Sequence, residues 1–133
     1  MIEVNNLTAY SIGKKSLKEL ALKILKKESR GNFKKKDLSV ALVAPSRIKE
    51  LNRRYRKKNR PTDVLSFQDK ENWGEIVICP SEVEKNAKKF NSNFKKELSR
   101  VLIHGVLHLL DYDHEEEKEK ERMKKKEEFY LNN

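Results

Sequence analysis

The stretch FKKELSRVLIHGVLHLLDYDH, residues 94–114, decides the fold of the chain. Its apolar residues recur at helical spacing, so it predicts one long helix from Phe94 to about Leu110. The inner side of this helix would carry Phe94, Leu98, Val101, Leu102 and Leu109. It is the most apolar helix that the sequence predicts, and we expect it to form a main part of the core.

Short strands are predicted on the N-terminal side of this helix. They cover residues 1–5, residues 38–42 and residues 74–79, and the segment 62–67 precedes the last of them. Helices are predicted between the strands, which indicates an α+β (α/β-like) fold with one modest sheet. At 133 residues the chain can bury a core without crosslinks, so we expect one domain over residues 1–133.

Capping-box patterns predict where two of the other helices begin. Ser16 pairs with Glu19 in the first pattern, and Ser81 pairs with Glu84 in the second. Between them Pro45 opens a further helix, because proline is favoured in the first helical turn.

The tail from Glu115 to Glu128 alternates blocks of acidic and basic residues. Its main apolar residues are Met123, Phe129 and Tyr130. So few apolar residues predict a solvated helix that docks only weakly.

Basic charge is concentrated in the N-terminal half of the chain. The formal net charge is +10, and residues 14–36 alone hold 10 basic and 2 acidic side chains. Residues 47–60 hold 8 basic and 1 acidic. A long anion such as nucleic acid would bind well to this surface. The alternative is lysine that merely solvates exposed faces, so charge alone does not identify an RNA-binding protein.

The single cysteine, Cys79, excludes an intramolecular disulfide and fits a reducing compartment. It follows the apolar run 76–78, which favours a buried structural thiol over a nucleophile. No apolar stretch is long enough to span a bilayer, and the residues after Met1 lack the architecture of a signal peptide. We therefore expect a soluble cytoplasmic protein without a membrane partner.

All three histidines of the chain lie within the run 104–114. His104 and His108 are four residues apart on the predicted helix, so both imidazoles project from one face, as in zincins. Asp111 and its neighbours favour a turn that would bring His114 back toward them. Three histidines and one open position are typical of a catalytic zinc site, whereas structural zinc sites use four protein ligands. The alternative, that each histidine only faces solvent or satisfies a buried hydrogen bond, explains the clustering less well.

These residues resemble the bacterial YbeY family of metal-dependent endoribonucleases. The family run H-G-x-L-H-L-x-G-Y-D-H matches residues 104–114 except at Asp111, where the family usually has a glycine. That glycine would serve as a left-handed helix C-cap, a conformation that Asp tolerates better than most residues. Residues 52–56 with residues 61–67 resemble the second diagnostic region of the family, and residues 74–78 resemble its G-[DE]-I-x-I strand.

The resemblance implies a mixed sheet of about four strands flanked by about five helices, with the histidine helix beside the sheet. It also implies one zinc ion per chain and single-strand endoribonuclease activity in rRNA maturation, at the 3′ end of the small-subunit rRNA precursor and in ribosome quality control. The implied partners are RNA and the ribosome or ribosome-assembly factors, and no DNA substrate is expected. Either a zinc-bound water or a zinc-activated ribose 2′-hydroxyl would attack the phosphodiester.

Several residues near these motifs are candidates for catalysis and RNA binding. Arg56 matches a family arginine and could stabilise charge on the phosphoryl oxygens, since its planar fork suits phosphate. Without the resemblance it could equally be one more surface arginine. The same loop offers Lys57, Lys58 and Arg60 as contacts to backbone phosphates.

The carboxylates and aromatic residues allow two interpretations each. Glu75 is the second catalytic candidate and could orient water or support a histidine, and Asp63 and Asp113 could do the same. A purely structural role is open for all three, and for Asp63 it is the favoured one. The aromatic residues Tyr55, Phe67 and Trp73 could stack on bases, but packing is the favoured role for each.

Other functions explain less of the sequence. A non-catalytic RNA-binding ribosome-assembly factor with a structural zinc accounts for the charge and the size, but not for three ligands with an open position. A metallopeptidase is disfavoured because Gly105 stands where the zincin motif carries its general-base glutamate. A small hydrolase acting on a phosphorylated metabolite does not require two separate basic stretches.

Overall fold

The computed structural model describes residues 1–29, 35–68, 73–112 and 116–132. The elements within these ranges are β1 (Ile2–Asn6), α1 (Lys14–Glu28), β2 (Leu38–Leu42), α2 (Pro45–Arg56), β3 (Val64–Gln68), β4 (Gly74–Ile78), α3 (Pro80–Lys89), α4 (Phe94–Leu109) and α5 (Glu117–Asn132). None of these helices is both long enough and apolar enough to cross a membrane.

The strands form one mixed sheet in the order β1-β2-β4-β3. β1, β2 and β4 are parallel, and β3 runs antiparallel to β4 at the edge. Helices connect the parallel strands, as a parallel pairing requires. The predicted α+β class, with four strands and five helices, is confirmed for the described part of the chain.

The two faces of the sheet are covered by different helices. On one face Val4, Val40 and Ile76 lie in register and belong to the main core, which α1 and α4 complete. On the other face Leu65 and Val77 belong to a smaller cluster with residues of α2. Cys79 is fully buried in this smaller cluster, so the prediction of a buried thiol is confirmed.

Gly105 lets α4 lie close to β3 and β4. A Cβ atom built on it would stand 3.0 Å from Cδ1 of Ile76 and 3.2 Å from Oγ of Ser66. The Ser66 hydroxyl also donates a hydrogen bond of 3.4 Å to the Gly105 carbonyl oxygen. A glutamate side chain at this position would point into the sheet. Position 105 therefore cannot supply the general base that a zincin carries there.

Both predicted capping boxes are wrong about where the helices begin. α1 begins at Lys14 with Gly13 as its N-cap, and α3 begins at Pro80 with Cys79 as its N-cap, and neither N-cap makes a side-chain hydrogen bond. Residues 13–16 are exposed, so water can satisfy the first N–H groups of α1. In α3 the proline itself sets the helical φ angle of the first turn.

The prediction of a weakly docked tail is also wrong. α5 buries Met123 and Tyr130 to 2% exposure each, and both belong to the main core. They are seven residues apart and so lie on one face of the helix. Two well-placed apolar residues and a set of polar contacts therefore dock a helix whose composition suggests little burial.

α4 ends in a left-handed turn at Asp111. The φ angle of Asp111 is 70°. The Asp111 N–H donates to the carbonyl oxygen of His108, and the Tyr112 N–H donates to that of Leu107, each at 3.1 Å. This pair of bonds is the Schellman motif, in which glycine is preferred at the left-handed position. The left-handed cap proposed from the sequence is confirmed, with aspartate in place of the family glycine.

We expect Asp111→Gly to raise the free energy of unfolding by about 0.5–1 kcal/mol, because glycine adopts positive φ without a steric cost. Removing a negative charge from a helix C-terminus acts in the same direction. Thermal and urea unfolding would measure the change, with Asp111→Ala as the matched variant that keeps the Cβ atom. Equal stability of the two variants would contradict this account of the turn.

Candidate active site

A cleft of about 550 Å³ lies between the second half of α4, the edge strand β3 and the end of α2. The chemistry-bearing residues that line it are Tyr55, Arg56, Asp63, Ser66, His104 and His108. Three segments that are far apart in sequence thus meet at one place. The structure brings two predicted metal ligands and the predicted arginine into one cleft.

His104 and His108 project into the cleft from successive turns of α4. Their ring planes are within 3° of parallel, and the ring centroids are 6.5 Å apart. His104 is half-buried, and His108 is exposed. The third predicted ligand, His114, and the nearby Asp113 lie outside the described residues. Among the residues that are described, no group of three metal-binding side chains is found.

Glu127 of α5 contacts the ring of His104 at Nδ1. Its Oε1 atom is 2.6 Å from Nδ1 of His104, and its side chain is only 16% exposed. An ionised carboxylate can only accept, so Nδ1 of His104 is the donor in this hydrogen bond, and a neutral ring then has its lone pair on Nε2. Glu127 is not among the residues predicted from the sequence, although its spacing from Met123 and Tyr130 puts it on their helix face.

The donor chemistry of this site fits a zinc-type ion. Two imidazole rings stand one turn apart on one helix face, which is the spacing of histidine ligands in zinc enzymes. The carboxylate on Nδ1 of His104 is the usual outer partner of a metal-binding histidine. His104 and His108, with His114 from the adjoining segment, are therefore the residues that could hold the ion.

Arg56 is the last residue of α2 and reaches the cleft from its exposed end. The helix stops there because Lys57 is left-handed, with a φ angle of 58°. The loop that follows is held by Asn52, whose buried amide Nδ2 donates to the Arg60 carbonyl oxygen at 2.9 Å. Lys57, Lys58 and Arg60 are all exposed, so their charges face solvent beside the cleft.

The two carboxylates singled out by sequence lie in different places. Asp63 borders the cleft, but its Oδ2 accepts a hydrogen bond of 3.2 Å from Asn86, which ties the residue before β3 to α3. Glu75 points to the face of the sheet opposite α4, because its neighbours Gly74 and Ile76 face the helix. It lies instead in a groove with residues of β1 and β2. The structure does not bring Glu75 and the histidines together.

The YbeY family model, described as Endoribonuclease YbeY, matches residues 3–133. The chain belongs to the YbeY family. The Endoribonuclease YbeY of Thermotoga neapolitana is 52% identical over 101 residues, which are 75% of this chain and 65% of that protein. That of Aliarcobacter butzleri is 35% identical over 133 residues, covering 96% and 89% of the two chains.

A solved relative has the same fold. The solution structure of TM1509 from Thermotoga maritima is 42% identical, with a TM-score of 0.73, and the match covers 99% of this chain and 87% of that one. The chain spans about 65% of the length of the Thermotoga relatives it matches.

The aromatic candidates of this YbeY-family chain divide between the cleft and the core. Tyr55 is 59% exposed at the cleft and meets the half-buried Phe67 edge to face, with ring centroids 5.1 Å apart. Trp73 packs against the main core, and the Lys36 ammonium lies 5.1 Å from its ring centroid. Packing thus accounts for Trp73, whereas Tyr55 presents a ring to the cleft.

Glu28, at the end of α1, collects three hydrogen bonds from the C-terminal part of the chain. Its Oε1 accepts from the Tyr112 hydroxyl at 2.7 Å, and its Oε2 accepts from the Tyr130 hydroxyl and from Lys126 Nζ, the latter at 3.2 Å. Burial alone would raise the pKa of Glu28, but these three donors outweigh it and hold the pKa below its usual value. Burial and the Glu28 carboxylate raise the pKa of Tyr130.

We expect Tyr130→Phe to lower the free energy of unfolding by about 1.5–3 kcal/mol at neutral pH, because it removes a hydrogen bond to a charged acceptor. Since the pKa of Glu28 is depressed, its contribution is full above the unfolded-state value and is lost as the pH falls through the folded-state value. The difference between wild type and variant should therefore shrink in acid.

Urea unfolding at several pH values would measure this dependence. Tyr55→Phe is the matched control, because Tyr55 is mostly exposed. A difference that stays constant down to acid pH would contradict the role given to Glu28.

Proposed function

We propose that the chain is a zinc-dependent endoribonuclease that cuts single-stranded RNA during rRNA maturation. The main support for the proposal is the cleft that is lined by His104, His108 and Arg56. Arg56 is the last residue of α2, a basic helix. Curated relatives that bear the name Endoribonuclease YbeY support the same activity. We place the substrate at the 3′ end of the small-subunit rRNA precursor, in the cytoplasm, with the ribosome or its assembly factors as partners.

In this proposal His104, His108 and His114 hold one zinc ion. The bound ion would supply Lewis acidity and lower the pKa of a water in its open position to about 7. Asp111 makes the left-handed turn that ends α4. Tyr112, next in the chain, donates a hydrogen bond to Glu28 of α1, which also accepts one from Tyr130 of α5. His114 itself lies outside the described residues.

Arg56 is proposed to bind the phosphoryl group that is attacked. Its guanidinium can donate two parallel hydrogen bonds to non-bridging phosphate oxygens, on which negative charge grows in the transition state. Lys57, Lys58 and Arg60 would bind the flanking phosphates without reading sequence. A base of a single strand could stack on the exposed ring of Tyr55 at the cleft. Glu75, on the other face of the sheet, takes no part in the proposal.

The nucleophile is one of two oxygens. A water molecule could attack phosphorus directly, or the ribose 2′-hydroxyl could attack after losing its proton. Only the second route leaves a 2′,3′-cyclic phosphate on the product, so analysis of the RNA ends distinguishes them.

We expect His108→Ala to reduce cleavage of a labelled small-subunit rRNA precursor by more than about 100-fold, which exceeds the loss typical of a residue that only supports a ligand. His108 is exposed, so the fold should survive. Chelation of wild type should have the same effect, and added zinc should reverse it. Lys95→Ala, an exposed change at the start of α4, is the control.

Equal cleavage by all samples would contradict the hydrolase proposal and indicate a contaminating nuclease. RNA binding without cleavage by metal-loaded wild type, even with ribosomal subunits added, would favour the non-catalytic assembly factor.

We expect Arg56→Ala to lower kcat by about 100- to 1,000-fold, the usual effect of removing one donor to a developing oxyanion. Arg56→Lys should recover RNA affinity more than kcat, because an ammonium keeps the charge but loses the fork. Lys88→Ala removes one charge from the exposed surface of α3 and serves as the control. Unchanged kcat in Arg56→Ala would remove this residue from the chemical step.

A further inference from the structure

We propose that Glu127 is a positioning residue of the metal site, whose carboxylate holds Nδ1 of His104 and so directs Nε2 of that ring to the metal. This inference rests on the proposed zinc-dependent function. It assigns a role in the site to α5, a helix that supplies none of the three histidines.

The contact has the geometry of a charge-assisted hydrogen bond. The distance of 2.6 Å between Oε1 and Nδ1 is slightly shorter than the usual range of about 2.7–2.9 Å for such a pair. The side chains of Glu127 and His104 are 16% and 38% exposed. Because the acceptor is largely withdrawn from water, the bond is less screened than an ion pair on the surface.

The bond determines which nitrogen of His104 carries the proton and how the ring is oriented. With its proton on Nδ1, the neutral imidazole presents the lone pair of Nε2, which is the form that binds a metal. A ring held at one nitrogen can no longer rotate freely about its χ2 angle. The rings of His104 and His108 stand within 3° of parallel, so the two imidazoles present their edges in the same plane orientation.

Glu127 is itself held from both sides along α5. Met123 is one turn before it and Tyr130 is three residues after it, so all three side chains share one helix face. Met123 and Tyr130 are 2% exposed, and the Tyr130 hydroxyl donates to Glu28 at the end of α1. The carboxylate is therefore supported by the packing of its helix and by a second, partly buried hydrogen bond.

The neighbouring Glu128 provides a matched comparison. It is exposed on α5, and its backbone carbonyl oxygen accepts a hydrogen bond from Asn132. Replacing its side chain removes the same charge from the same helix and leaves that backbone bond in place. An effect confined to Glu127 is thus due to the contact with His104 and not to net charge.

The test is zinc affinity, measured by competition with a chromophoric chelator on wild type, Glu127→Ala, Glu127→Gln and Glu128→Ala. We expect Glu127→Ala to bind zinc about 10- to 100-fold more weakly than wild type, the usual effect of losing the outer partner of a histidine ligand. Glu127→Gln should lose less, because its amide oxygen can still accept from Nδ1. Glu128→Ala should match wild type.

Nitrogen-15 NMR of the metal-free protein gives a second measurement, the tautomer of His104. It would not change if Glu127 had only a structural role. Measured where the ring is neutral, the proton of His104 should be on Nδ1 in wild type, and Glu127→Ala should show a mixture of tautomers. If that variant does not fold, Glu127→Gln carries the test through its intermediate affinity.

The outcomes separate this inference from the proposed function. Wild-type zinc affinity in Glu127→Ala and Glu127→Gln, with the tautomer of His104 unchanged, would overturn the role of Glu127 and leave the zinc site intact. Failure of wild type itself to take up zinc would instead overturn the proposed function, and the inference with it.

Discussion

The structure depends on the close approach of α4 to the sheet at Gly105. Its missing side chain lets the helix backbone lie against Ile76 of β4 and Ser66 of β3, where even a Cβ atom would crowd both. Such an approach fixes the rotation of a helix about its own axis, since turning it would bring a bulky side chain into the same gap. His104 and His108 are on the flank next to Gly105, so the close approach there, together with the buried face of α4, directs both histidines to the cleft beside β3.

The two faces of the sheet pack against different helices because residues alternate along each strand. Residues of β4 alternate between the faces, so Ile76 supports the histidine helix while Val77 packs with the cluster under α2. α2 packs on one face of the sheet but ends beside the edge strand β3. Arg56, its last residue, therefore reaches the cleft that the histidines line from the other face. An arginine and two histidines from opposite sides of the sheet come together only because β3 is an edge strand that both sides can reach.

Periodicity and family motifs together predicted most of this architecture, and what they missed has physical reasons. The positions of the strands and of α4 follow from local apolar patterns, which the sequence shows directly. Helix starts were misplaced because exposed backbone N–H groups at Gly13 can be satisfied by water, which no pattern records. The docking of α5 was missed because it depends on partners such as Glu28, which is 102 residues from Tyr130 in the chain. Glu75 was paired with the histidines on chemistry alone, whereas strand alternation places it on the other face.

Because Glu127 of α5 contacts His104, local unfolding of α5 would affect the candidate metal site. This helix is held by two buried apolar side chains and a few polar contacts, so it should open more readily than α4, which lies in the middle of the core. If an ion binds at His104 as proposed, it would bind the closed form better than the open one and shift the equilibrium toward closure. The backbone amides of α5 would then exchange with solvent more slowly in the metal-loaded protein, although the helix contributes no ligand of its own.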